Sequence, residues 1–169
     1  GRIAGGLQAL FTQHAVATAV SLAQLHLLTE ELDHAMARAW INAEPVAPAS
    51  STARYAMAWR SVGRRSDRDR QLETVLQIGR DLARLTRLPG LRLVLRMMRK
   101  PAHAAGLGSL QDFLEAGFDT FASMTRHAQG VDIFLSTIEQ REAGLIDTLF
   151  DESPVACATK LDAILGQVR

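Results

Sequence analysis

Apolar residues three and four positions apart run through almost the whole chain, and that spacing leaves little room for any fold but a helical one. Leu7, Leu10, His14, Ala17, Ser21, Leu25, Leu28, Leu32, Ala35 and Ala39 fall on one stripe, the period of an α-helix rather than the alternation of a strand. Val16, Val20, Ala23 and Leu27 widen the stripe. The pattern predicts a first helix from Leu7 to Ala43 whose first half is largely buried. Strand signals are nearly absent, with no sustained alternation and no Asn-Gly or Asp-Gly turn.

Punctuation residues cut the rest into further helices. Two prolines in EPVAPASS, from Glu44, make a loop. Thr52 to Val62 reads as a short helix carrying Tyr55 and Trp59, stopped near Gly63. Ser66 with Asp69 has the form of a capping box for the next helix. Leu72, Val75, Leu76, Gly79, Leu82 and Leu85 form its inner face, and Pro89-Gly90 ends it. Leu91 to Arg99 is amphipathic, with Leu91, Val94, Leu95 and Met98 inward and Arg92, Arg96 and Arg99 outward. Pro101 is expected to end it, because the residue before a proline avoids the α region.

Ser109 is expected to cap a fifth helix, with Asp112 three residues on. Leu110, Phe113, Leu114, Gly117, Phe118, Phe121 and Met124 point inward. Val131 to Phe150 follows a break at Gln129-Gly130, and its face is Val131, Leu135, Ile138, Leu145 and Leu149. Ser153-Pro154 places a cap and a first-turn proline before a last helix with Leu161, Ile164, Leu165 and Val168. The expected fold is a single all-α domain over residues 1–169, a bundle of six or seven helices with a long first helix. Globin-like and orthogonal packing both stay open. The chain opens at Gly1 without a Met, so a natural N-terminal segment is expected to be missing.

Charge is uneven although the net value is only +1. Residues 54–100 hold thirteen basic side chains against four acids, whereas residues 101–169 hold ten acids against four bases. In the plainest reading the middle pairs with the acidic C-terminal part. Asp112, Glu115 and Asp119 share one helix face and suit such pairing. The alternatives are an exposed nucleic-acid or polyanion patch over residues 80–100 and a helix lying on an anionic membrane surface. No zinc-finger or RNA-recognition motif supports nucleic acid. No apolar run reaches the ~18 residues of a spanning helix.

The stretch RMMRKPAHAAGLGSLQDFLEAGF reads first as a connector and second as an anion site built on Arg92, Arg96, Arg99, Lys100, Gly106, Gly108 and Ser109. Glu31 and His34 have the E-x-x-H spacing of di-iron bundles, but no second copy occurs. His14, His26, Glu31 and His34 are thus the candidates for a metal or haem site, and no cofactor is the default expectation. Glu142 falls among inward residues and is read as an edge position. Cys157, the single cysteine, excludes an internal disulfide, fits a reducing compartment and is expected to be structural. There is no Gly-x-Ser-x-Gly, His-Glu-x-x-His or Cys-x-x-Cys, so nothing argues for an enzyme.

The stretches AWRSVGRRSDRDRQLETVLQIGRDLARLTRLP, RKPAHAAGLGSLQDFLEAGFDTF and FLSTIEQREAGLIDTLF resemble the body of the bacterial FFLEELY motif proteins over most of residues 20–150. The motif that names them does not occur in this chain and is placed upstream of Gly1. The resemblance implies a soluble, cytoplasmic bacterial protein and carries over no catalytic residue. The expected role is interaction with a protein partner or a second copy, with self-association through the first helix. Polyanion binding is the alternative, and a haem or metal domain the third.

Overall fold

A computed structural model describes residues 2–42, 51–88, 90–106, 108–127 and 129–166; the side chains of residues 2–12, 14, 15, 19, 110 and 113 lie outside that description. Seven helices and no strand occur among the described residues: α1 Arg2–Asn42, α2 Ser51–Val62, α3 Arg65–Thr86, α4 Leu91–Ala104, α5 Gly108–Met124, α6 Gly130–Asp151 and α7 Pro154–Gly166. The fold is all-α. The chain divides into two compact units, one of Gly1–Leu22 with Val75–Ile138 and one of Ala23–Thr74 with Glu139–Arg169.

In the first unit, α4 packs along α5. Leu76, Ile78, Ala83, Val131 and Leu135 are buried, and Phe121 meets Phe134 edge-on with ring centroids 6.3 Å apart. Gly79 lets α3 approach α6 closely, since a Cβ there would sit 2.6 Å from Leu135 Cδ2.

In the second unit, α2 packs against α7. Ala56, Leu149 and Cys157 form a buried cluster with Trp59 and Leu161 against it. The Trp59 ring lies tilted against those of Tyr55 and Phe150, each 6.0 Å away by centroid, and the Arg68 guanidinium lies 4.1 Å over its ring. Arg68 is buried and makes no ion pair among the described residues, and burial lowers its pKa. It donates to Gln71 Oε1 at 3.3 Å; Gln71 donates to Thr29 Oγ1 at 2.8 Å, and Thr29 to the Leu25 carbonyl at 2.9 Å.

Two α2 arginines cap other helices. Arg54 donates to the Trp40 carbonyl at 2.6 Å near the end of α1, and Arg60 to the Leu149 carbonyl at 2.6 Å and to that of Glu152 at the end of α6. These carbonyls have no partner within their own helices, and a cation there also offsets the negative end of the helix dipole.

The cap expected before α7 is present. Ser153 Oγ accepts from the Ala156 N–H at 3.3 Å, with Pro154 opening α7. Glu142 is exposed, an edge position.

Several expectations need correction. α4 runs through Pro101 to Ala104 rather than stopping at it. The N–H that proline lacks would have bonded the Met97 carbonyl, and both residues are exposed, so water replaces that bond at small cost. α3 starts at Arg65, and the Arg64 carbonyl accepts the N–H groups of Asp67 and Arg68 at 3.0 and 3.2 Å. Ser66 therefore lies inside the first turn, and Asp67, paired with Arg64 and Arg70, supplies its acid. α5 opens at Gly108, one residue before Ser109. α1 begins at Arg2, and Val16, Val20 and Leu22 are exposed (56%, 51% and 47%), so the described part of its first half is not largely buried. Leu114, Ile164 and Leu165 are likewise exposed; apolar spacing marks a face but does not say that anything covers it.

Candidate functional site

The basic segment and its acidic partner face meet in the first unit, where α4 lies along α5. Leu91, Leu95 and Ala102 are half-buried on α4. Arg92 Nη2 sits 3.0 Å from Asp119 Oδ2. One α5 turn earlier, Arg99 grips Glu115 through both Nε, at 2.6 Å to Oε1, and Nη2. Buried Gln111 completes the seam, its Nε2 donating to the Leu95 carbonyl at 2.7 Å and to Glu115 Oε1 at 3.0 Å. Two of the three acids expected to face the arginines do so. Asp112 makes no ion pair among the described residues.

The Arg99 fork, then the Gln111 amide, pull the Glu115 carboxyl down to about 2 from 4.5. A carboxyl depressed by folding stabilises the native state above its unfolded pKa, and that contribution is lost as pH falls through the folded value. Glu115 thus supports the α4–α5 pair at neutral pH and ceases to between about pH 4.5 and 2. Glu115→Gln is expected to flatten the acid limb of the stability curve in that window, read by urea unfolding across pH. An unchanged acid limb would show that the fork does not couple to folding.

The C-terminal acids take only part of the basic segment. Arg65 reaches Asp147 and Asp151, and Arg92 and Arg99 reach α5, but Arg64, Arg70 and Arg84 use Glu31, Asp67 and Asp81 instead. Neutralisation mainly by the acidic tail end therefore overstates that part. Arg80, Arg87, Arg96 and Lys100 have no carboxylate partner among the described residues.

The remaining face of α4 is apolar and open. No residue of this helix is buried. Leu93 and Met97, one turn apart, are each 61% exposed, and Val94 and Met98 are exposed as well. Arg96 and Lys100 adjoin this strip in the helical order.

The other residues singled out from sequence are dispersed. Gly106, at φ +75°, donates its N–H to the His103 carbonyl at 3.1 Å where α4 ends. A Cβ on Gly108 would meet the His103 ring at 2.6 Å, so this glycine has a packing reason to be there. Ser109 is exposed in the first turn of α5. His26 is exposed; His34 Nδ1 donates to the Glu30 carbonyl at 2.7 Å, and Glu31 pairs with Arg64 at 3.2 Å. The His14 side chain lies outside the described residues. Among those described, no three His, Cys, Asp or Glu side chains gather as metal ligands. Gln111 went unrecognised in the sequence. Its only signal is a polar residue beside the inward positions of α5, next to a helix whose backbone it can reach.

No helix of the described residues is long and apolar enough to cross a membrane. Neither a curated protein nor a solved structure matches the chain. The family described as Domain of unknown function (DUF8198) does match, over residues 1–156, and the chain belongs to it.

Proposed function

We propose that this chain is a non-enzymatic interaction module whose recognition surface is the outer face of α4. The observation that carries the reading is the exposure of Leu93, Val94, Met97 and Met98 on one short helix. Clustered large apolar side chains in water mark an interaction surface far more often than scattered ones do. Met is well suited to it, because its flexible thioether adapts to a partner's shape. Arg96 and Lys100 border the strip without carboxylate partners among the described residues, which favours a protein segment that offers apolar side chains flanked by Asp or Glu.

Selection from a displayed random-peptide library tests this. Bound peptides are expected to carry acids around two apolar positions, and Leu93→Glu with Met97→Glu to weaken them about tenfold or more while helicity is kept. Peptides that lack acids, or that bind the double variant equally well, would refute the reading. Partition onto anionic vesicles would move the surface to a membrane. A steep salt dependence with long nucleic acid would favour the polyanion reading.

Self-association is a second reading, supported by the exposure of Val16 and Val20 one turn apart on α1. A chain that scatters light as a monomer at high concentration would remove it. A cytoplasmic bacterial setting and kinship with the FFLEELY motif proteins fit both readings and rest on the resemblance alone.

A further inference from the structure

Where α3 ends, α4 begins and α5 ends, the first unit holds a cleft of about 480 Å³, within the size range of small-ligand sites. Arg87, Arg92 and Arg126 line it, together with the apolar Leu88, Phe118 and Ala122. Asp119 is the only carboxylate among the described lining residues, and Arg92 holds it at 3.0 Å. Arg87 and Arg126 have no carboxylate partner among the described residues, so the cleft carries an excess of two positive charges.

Both arginines follow a helix C-terminus, where a cation offsets the dipole. Dipole compensation alone does not describe them. Arg54 and Arg60 donate directly to terminal carbonyls in the other unit, whereas the guanidinium groups of Arg87 and Arg126 make no such bond among the described residues. The cleft also includes Gly90, the left-handed residue (φ 87°) that opens α4 without a side-chain cap, while the Leu91 N–H bonds the Leu88 carbonyl at 3.5 Å.

We infer that this cleft binds a small phosphomonoester bearing a flat ring. The phosphate lies across Arg87 and Arg126 beside the open start of α4, and the ring rests on Phe118. Guanidinium forks match phosphate oxygens in geometry as well as charge. The apolar wall serves the rest of the molecule. The site is distinct from the outer face of α4 and stands or falls apart from it.

Amide NMR titration of the full chain with inorganic phosphate, ribose 5-phosphate and adenosine 5′-monophosphate tests the inference. All three are expected to shift the Gly90, Arg92, Ala122 and Thr125 amides, with the nucleotide about tenfold tighter than the sugar phosphate through stacking. Arg87→Gln and Arg126→Gln, both at exposed positions, are each expected to weaken binding about tenfold or more. Arg80→Gln, outside the cleft, leaves it unchanged. Asp119→Asn removes the one like charge and is expected to tighten binding severalfold. Absence of cleft shifts up to about 10 mM of every probe, or shifts that survive Arg87→Gln and Arg126→Gln, would overturn the site.

Discussion

Leu32→Ala is expected to lower the unfolding free energy by about 3 kcal/mol, whereas Leu27→Ala changes it by less than about 0.5 kcal/mol. Both leucines sit on α1, five residues apart, and deletion removes the same atoms. Their surroundings differ: Leu32 is 0% exposed and Leu27 is 64% exposed. Truncating Leu32 forfeits the transfer of three carbons out of water and leaves a void that its neighbours fill only in part. Truncating Leu27 removes surface already in water and slightly improves helix propensity. Urea unfolding of the two variants reads the contrast directly. Equal losses, or a larger loss at Leu27, would mean that α1 presents a different face to the interior.

The second large effect comes from one methyl group. Gly130 opens α6, and a Cβ there would lie 2.6 Å from the Met124 carbonyl oxygen and 3.4 Å from His127 Cβ. The obstacle is backbone rather than a side chain that can swing away. The turn before it is already constrained, with Gln129 at φ 63° and the Gly130 N–H bonded to the His127 carbonyl at 3.1 Å. Gly130→Ala is therefore expected to destabilise by about 2 kcal/mol, in the range of overpacked sites. Gly144, on the same helix, has nothing within 4 Å of its would-be Cβ. There the same substitution is expected to stabilise by about 0.5–1 kcal/mol, through the poor helix propensity of glycine. Opposite signs in thermal or urea unfolding would support the close approach at Gly130. Stabilisation at both positions would refute it.

These contrasts show what was legible in the chain. Spacing gave the expectation of six or seven helices, and seven occur among the described residues, because the 3.6-residue period is a local property; Ser153-Pro154 announced α7 because capping needs only neighbouring atoms. The facing acids Glu115 and Asp119 were legible for the same reason, as a stripe at one spacing on one helix. Burial was less legible. Val16, Val20 and Leu114 lie on apolar faces yet are exposed, since coverage depends on elements distant in sequence. Pro101 misled because the rule against proline in helices assumes that the lost bond is missed, which does not hold at a wet surface. Arg54 and Arg60 belong to the basic segment expected to pair with acids, yet they take backbone carbonyls, partners that composition does not count. Arg87 and Arg126 lie 39 positions apart in the chain, and no local pattern could join them in one cleft.

The forked contacts bear on why seventeen of the nineteen basic residues are arginine and two are lysine. Arg60 spans the carbonyls of two residues, Arg65 spans two aspartates, Arg99 matches both oxygens of one glutamate, and Arg68 sits over an indole. A planar group with several donors can do each of these, and a single ammonium on a flexible stem can do none of them fully. Exchanging the two residue types would keep every charge and still unfasten the helix ends. At these four positions the arginines act as shaped fasteners as well as charges.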